Sequence, residues 1–244
     1  MKADLHIHTT LSPCGDIEMT PVAIIAKAKE MGLDLIGITD HNSTLQAREI
    51  RRVGLLAGVR VLCGAEITTR EEVHVLAFVD GDEALNRLQE WLSVNLIVVP
   101  NNPDIFGYQL VVDQNEDVVY QEDNLLIGAI DKSIEEVEEF VHSLGGIFIP
   151  AHIDKQQNSV ISQLGFLPAH LNVDALELSY RINIEDFKKQ NSYISKKSFI
   201  QSSDAHYVDD IGKVYTELNT DGTTFDQIKS SICELYKRQL NINS

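Results

Sequence analysis

The chain has 244 residues, 43% of them hydrophobic, which suits one large folded domain and argues against disorder. Lys and Arg number 20 against 37 Asp and Glu, and the resulting charge of −17 opposes broad binding to duplex nucleic acid or an anionic membrane, both of which reward basic patches. Three scattered cysteines (Cys14, Cys63, Cys233) form no disulfide framework, and neither a leader pattern nor a membrane-length apolar run is seen, so a cytoplasmic location is expected.

In chain order, Ala3–His8 is the first strand-like run, and Pro21–Met31 reads as a helix with Thr20 as N-cap, Pro21 at its first position and Gly32 as its stop. Leu35–Asp40 is a second strand, followed by a helix through Arg48–Leu56 and strands at Val61–Ile67 and Val73–Val79. Leu85–Val94 has helical spacing. The irregular stretch around 95–128 predicts a loop and a hairpin turning at Gln114–Asp117. A helix at Ile134–Leu144 follows, stopped by Gly145–Gly146, and then strands at Ile147–Ala151, Ala175–Ser179, Phe199–Ser203 and Lys213–Leu218. A helix at Phe225–Tyr236 comes last. Repeated β-then-α units with nearly all-apolar strands imply parallel strands buried on both faces. The count favours an α/β barrel, closed or distorted, formed as a single domain over residues 1–244 with an insertion around 95–128.

The histidines gather where such barrels place their chemistry, at the C-terminal ends of strands. His6 and His8 end the first strand in DLHIHT, and their i, i+2 spacing points both imidazoles the same way. Asp40 and His41 end the second in GITDHN, Glu66 the third in CGAEITT, His152 a later one in IFIPAHID, and Asp204 and His206 another in QSSDAH. His74, in EEVHVLAF, sits near the start of its strand and fits less neatly. Six of the eight histidines join this group; His142 and His170 fall outside it and read as ordinary partly exposed residues. One element alone could be a cap or a turn. Six imidazoles with several carboxylates on one face would suffer desolvation and like-charge penalties unless a metal held them together.

These motifs, in this order over residues 4 to 206, resemble the PHP family (polymerase and histidinol phosphatase). The resemblance implies a distorted (β/α)7 TIM-like barrel with two or three divalent ions (Zn, Mn or Fe) at its C-terminal face, and hydrolysis of phosphate esters. Carried over by motif, His6, His8, Glu66 and Asp204 would hold one ion, a bridging Glu66 would share a second with His74 and His152, and His41 and His206 would hold a third. Asp40 is expected to orient an imidazole instead. The family usually supplies Asp or His five or six residues after the HxH pair, where this chain has Pro13 and Cys14. Proline cannot coordinate. Cys14 could do so as thiolate, and Asp16 could reach; Asp16 is preferred because oxygen suits Mn²⁺ or Fe²⁺ as well as Zn²⁺.

On this reading a hydroxide bridging two ions attacks phosphorus, with Glu66, Asp204 and His206 carrying the catalysis and Asp204 or a water protonating the leaving oxygen. Arg70, Lys155 and Arg181 follow strand ends and are the candidates for phosphate binding. The expected substrate is a small phosphate monoester or short nucleotide, not duplex DNA. Three rivals remain. A metal-dependent amidohydrolase also uses HxH but would not need the DH and SDAH pairs. A phosphotyrosine protein phosphatase would need an open site, and a non-catalytic metal-binding module is favoured only by positions 13 and 14.

Overall fold

The computed structural model describes residues 1–220 and 222–237 of the chain. Strand β1 (Lys2–Ile7) is buried from Ala3 onward, as its apolar run requires. Helix α1 (Pro21–Glu30) begins where Thr20 Oγ1 accepts the N–H of Ala23, and Gly32, in the left-handed region (φ +67°), turns the chain into β2 (Leu35–Ile38). Then come α2 (Ala47–Ala57), β3 (Arg60–Thr68), β4 (His74–Val79) and α3 (Gly81–Asn95). Helix α3 starts four residues before the apolar spacing predicted, because Asp80, Gly81, Asp82 and Glu83 make a polar first turn that periodicity cannot register.

The irregular stretch holds a one-turn helix α4 (Pro103–Phe106) and the hairpin β5 (Leu110–Val112) and β6 (Val118–Gln121). Leu11, Val111 and Leu126 form a small buried cluster that pins this insertion onto the loop after β1. The chain continues through α5 (Ile134–Ser143), β7 (Ile147–Pro150), α6 (Val160–Leu164), β8 (Leu176–Leu178), α7 (Ile184–Gln190), β9 (Phe199–Gln201), β10 (Thr216–Glu217) and α8 (Phe225–Cys233). Residues 238–240 and 221 lie outside the described part, as do the last four positions.

One mixed sheet runs β10-β1-β2-β3-β4-β7. Strands β1, β2 and β3 pair in parallel, but β4 is antiparallel to both β3 and β7, and β10 is antiparallel to β1. The expectation of uniformly parallel strands fails at β3–β4, where no crossover helix intervenes and a tight turn makes a hairpin. Gly64 is required there: a Cβ on it would lie 2.0 Å from Ala77 O.

The sheet is a curled half-barrel and does not close, which corrects the (β/α)7 barrel expected from the sequence. Strands β8 and β9 pair in parallel as a separate two-stranded unit. Backbone bonds that tie it and its flanks to the neighbouring strands include Ala205 N–H to His6 O, His8 N–H to Ala205 O, Asp174 N–H to Phe148 O and Ile153 N–H to Glu177 O. With three residues each, β8 and β9 are too short to sustain full ladders on both sides. Strand residues divide between two apolar clusters, one shared with α1, α2, α3 and α5, the other closed by Phe225, Ile228 and Ile232 of α8. Among the described residues no helix is long and apolar enough to cross a membrane.

Candidate metal centre

The strand ends bring the histidines to one point. His6 lies in β1 and His8 just beyond it, while His41 follows β2 and forms a parallel bridge to Glu66 of β3. His152 follows β7, and Asp204 and His206 follow β9. His74 opens β4, but the antiparallel register puts it opposite Thr68, so the start of β4 lies at the same edge as the end of β3. The hairpin resolves the one misfit in the sequence pattern.

Glu66 is the hub. Its Oε1 lies 2.8 Å from His74 Nδ1, 3.1 Å from His152 Nε2 and 3.4 Å from His6 Nε2. Its Oε2 lies 3.2 Å from His41 Nδ1 and 3.4 Å from His8 Nε2. His6, His8, His41, His74 and His152 thus surround the carboxylate, each ring 4.7 to 5.9 Å from the next, and His206 stacks on His8 at 4.3 Å. All five encircling imidazoles are buried.

Hydrogen bonding fixes how these rings face inward. Ser12 Oγ donates its one proton to Asp40 Oδ1 (2.6 Å), so it must accept from His8 Nδ1 (3.0 Å), which leaves His8 Nε2 bare. His6 Nδ1 donates to the Glu177 carboxylate (3.0 Å) and turns its Nε2 inward. These two Nε2 atoms stand 3.2 Å apart, and Asp204 Oδ1 is 3.3 Å from one and 3.5 Å from the other. Two neutral acceptors and a carboxylate at such distances repel unless a positive charge sits among them. The residues fit divalent ions on this ground. His152 Nδ1 and His41 Nδ1 are buried without an aligned hydrogen-bond partner, although Glu66 lies near the second.

The ionisation of the cluster follows from the same geometry. Burial works against charge on His6, but Glu177, Asp204 and Glu66 outweigh it and hold its pKa well above the ordinary value, so a proton supplies the positive charge when no ion does. Burial, seconded by the charge of His206, lowers His8 to about 4, which keeps it neutral and ready to ligate at neutral pH. Burial would also raise Glu66, yet His74, His6 and His41 hold it well below the usual range. Asp204, opposed by burial, is lowered chiefly by His6. Burial raises Asp40 to about 6.

Asp40 orients an imidazole only through an intermediary. It accepts from Thr9 N–H and Oγ1 and from Ser12 Oγ, and Ser12 in turn holds His8. Asn42, His152 and Asp204 adopt positive φ (47°, 29° and 54°), a conformation that costs non-glycine residues about 1–2 kcal/mol and clusters at functional sites.

Beside the cluster opens a cavity of about 910 Å³, lined by His152, Lys155, Glu177, Arg181, Asp204 and Lys213 among others. Lys155 Nζ lies 2.6 Å from Asp204 Oδ2, so Asp204 turns one oxygen to the imidazoles and the other to the cavity. Arg181 lines the same cavity and stacks over Tyr180. Arg70 does not: Asp131 and Glu136 hold its exposed guanidinium elsewhere. Asp16 is not brought to the imidazoles either; its Oδ1 turns back to accept Glu18 N–H. Cys14 groups instead with His8, His41 and His206, all donor atoms within 4.8 Å of one another. Burial first, then Glu66 and Asp40, push its thiol pKa up.

Three contributors escape sequence reasoning. Glu177, buried in β8, holds His6 and accepts His152 N–H; a lone acid inside the apolar run ALELS was the available signal. Ser12 and Asn158, whose amide lies 3.0 Å from His74 Nε2, are residue types too common in loops to stand out.

Two family models match the chain. The model of the PHP domain matches residues 4–154, and that of a PHP-associated domain matches 195–234. The uncharacterized protein MJ1587 of Methanocaldococcus jannaschii is 37% identical over 119 residues, 42% of this chain and 70% of that one. Protein YqxK of Bacillus subtilis is 25% identical across 92% of this chain and 60% of its own length. The 5'-3' exoribonuclease Rnm of Escherichia coli is 39% identical over 80 residues, 30% of this chain and 26% of that one. Among solved structures, the lesion-specific endonuclease Q of Pyrococcus furiosus superposes with a TM-score of 0.71 at 19% identity, over 96% of this chain and 56% of that one. A Bifidobacterium adolescentis protein provisionally named a metal-dependent phosphoesterase gives 0.59 at 22% identity, covering 95% of both chains.

An endonuclease Q complex with a 27-mer duplex bearing an abasic lesion at the active site also superposes, with a TM-score of 0.66 at 20% identity, over 95% of this chain and 56% of that one. That finding overturns the expectation that duplex nucleic acid is no partner of such a chain. The expectation rested on a charge of −17 summed over the whole surface, whereas what a site admits depends on its own lining, here Lys155, Arg181 and Lys213 set among Asp154, Glu177, Asp204 and Asp210.

Proposed function

Because this chain belongs to the PHP domain family, we propose that it is a metal-dependent hydrolase of phosphoester bonds whose catalytic centre is the imidazole cluster around Glu66. The observation that carries this reading is the inward-facing pair His6 Nε2 and His8 Nε2, 3.2 Å apart beside Asp204 and Glu66. His6, His8, His41, Glu66, His74, His152, Asp204 and His206 are the residues that would hold two or three ions, zinc, manganese or iron. Bound divalent ions would supply Lewis acidity, easing deprotonation of water and offsetting charge on the phosphoryl oxygens.

The protein's own groups do the rest. Glu177 and Ser12 hold the first two imidazoles with the correct nitrogen inward. Lys155, with its side chain 40% exposed, stands over the outer oxygen of Asp204, where it would meet an incoming phosphate and keep Asp204 ionised until substrate displaces it. Arg181 would draw the rest of the anion into the cavity, while Lys213 is held by Asp210. Because Asp204 is held ionised, a water would protonate the leaving oxygen. The whole described chain, insertion included, is taken as one working unit.

The substrate class we favour is a nucleotide phosphoester, free or at the end of a strand. A cavity of about 910 Å³ has room for one nucleotide, and Tyr180 beside Arg181 offers a ring for stacking. The partial likeness to exoribonuclease Rnm supports the same class. The test is hydrolysis of a panel under one metal condition: sugar phosphates, mononucleotides, short single-stranded oligonucleotides, and duplexes with and without an abasic position. Nucleotides or strand-end phosphoesters, in single strands or duplexes, should lead. Sugar phosphates favoured more than tenfold would replace this substrate class, and activity on amides or lactones alone would make the chain an amidohydrolase.

A further inference from the structure

We propose that Cys14 is a metal ligand, binding as thiolate with His41 and His206, and that this makes one position of the cluster selective for zinc over manganese. The inference shares with the proposed function only the premise that ions occupy the cluster.

Donor atoms of Cys14, His41 and His206 lie within 4.8 Å of one another, a span that a small inward shift closes onto one ion, while neighbouring His8 turns its open Nε2 toward His6. Both imidazoles are free to serve that ion. His206 Nδ1 donates to the backbone oxygen of Asp204 (2.8 Å), a carbonyl that can only accept, so Nε2 is its open nitrogen. His41 is 4% exposed, and its Nδ1 lacks an aligned partner.

The loop that delivers Cys14 is tightly specified. Ser12 N–H bonds to Thr9 O and Gly15 N–H to Ser12 O, two consecutive turns that reverse the chain beneath the imidazoles. A Cβ at Gly15 would lie 2.1 Å from Thr9 O, so only glycine lets the backbone pass there. Asp16 N–H then bonds to His206 O, locking the loop to the far side of the site. The other cysteines are occupied elsewhere: Cys63 Sγ donates to Ala47 O, and Cys233 Sγ lies beside Asp174.

One sulfur with two imidazole nitrogens and an open fourth position suits tetrahedral zinc, whereas manganese and magnesium favour oxygen. On binding, the S–H proton leaves to solvent and the metal–sulfur bond takes its place. Asp16, an oxygen donor, is turned away by its bond to Glu18 N–H.

Cobalt(II) titration of the metal-free protein tests this without reference to activity. The wild type should develop a near-ultraviolet thiolate-to-cobalt charge-transfer band; Cys14→Ser should lack it, and Cys14→Asp should bind cobalt without it. In competition, Cys14→Asp should shift the zinc-to-manganese preference toward manganese by about tenfold, as expected when oxygen replaces sulfur. Circular dichroism confirms that each variant is folded. Cobalt bound by the wild type without the band, or a band that survives in Cys14→Ser, overturns the assignment of Cys14 and leaves the hydrolase reading standing. No cobalt uptake at all overturns both.

Discussion

Glu66→Gln is expected to lower kcat/KM for phosphoester hydrolysis by about 10³-fold, since the Lewis-acid contribution amounts to several kcal/mol and each ~1.4 kcal/mol is a factor of ten. Both Glu66 oxygens are engaged, one by His74, His152 and His6 and the other by His41 and His8. Glutamine keeps the shape but offers only one accepting oxygen, and its amide N–H would point at an imidazole nitrogen needed for a metal. Bound metal should fall together with activity while far-ultraviolet circular dichroism stays unchanged. A variant that keeps its metal and loses less than tenfold in activity would remove Glu66 from the centre of the site.

Glu177→Gln should weaken metal binding by about 10- to 100-fold, the usual effect of removing a carboxylate that backs a ligating imidazole. Glu177 is 2% exposed and holds His6 Nδ1 at 3.0 Å, and its charge makes His6 a better donor. It is a positioning residue, so the informative readout is metal affinity measured apart from turnover. Glutamine still accepts from His6 and should retain more affinity than Glu177→Ala, which also strands His152 N–H. Metal affinity unchanged in both variants would reduce Glu177 to a packing role.

How legible these features were depended on whether the physics was local. His6 and His8 declare themselves because period-two spacing in a strand is a local rule, and Thr20, Pro21 and Gly32 bound α1 for equally local reasons. His74 read as an outlier because its place depends on β4 reversing direction, a pairing fact set by the short β3–β4 connection. Glu177 was invisible for a similar reason: the pattern of β8 does not tell which face meets His6, 171 residues away in sequence. The choice between Cys14 and Asp16 turned on side-chain direction within a loop. There Asp16 satisfied a neighbouring N–H, as short acidic side chains do in turns, and left the inward position to Cys14. Closure of the barrel also lay beyond the sequence, since three-residue strands carry too little pattern to say how they pair.

The most direct measurement combines elemental analysis with chelation. Protein purified without chelator should carry two or three equivalents of transition metal, lose phosphoesterase activity when stripped, and regain it when zinc, manganese or iron is restored. Saturation at about 100 times the dissociation constant should also add about 2.7 kcal/mol of stability. Less than one equivalent of metal, no uptake on addition, and activity indifferent to chelation would contradict the account.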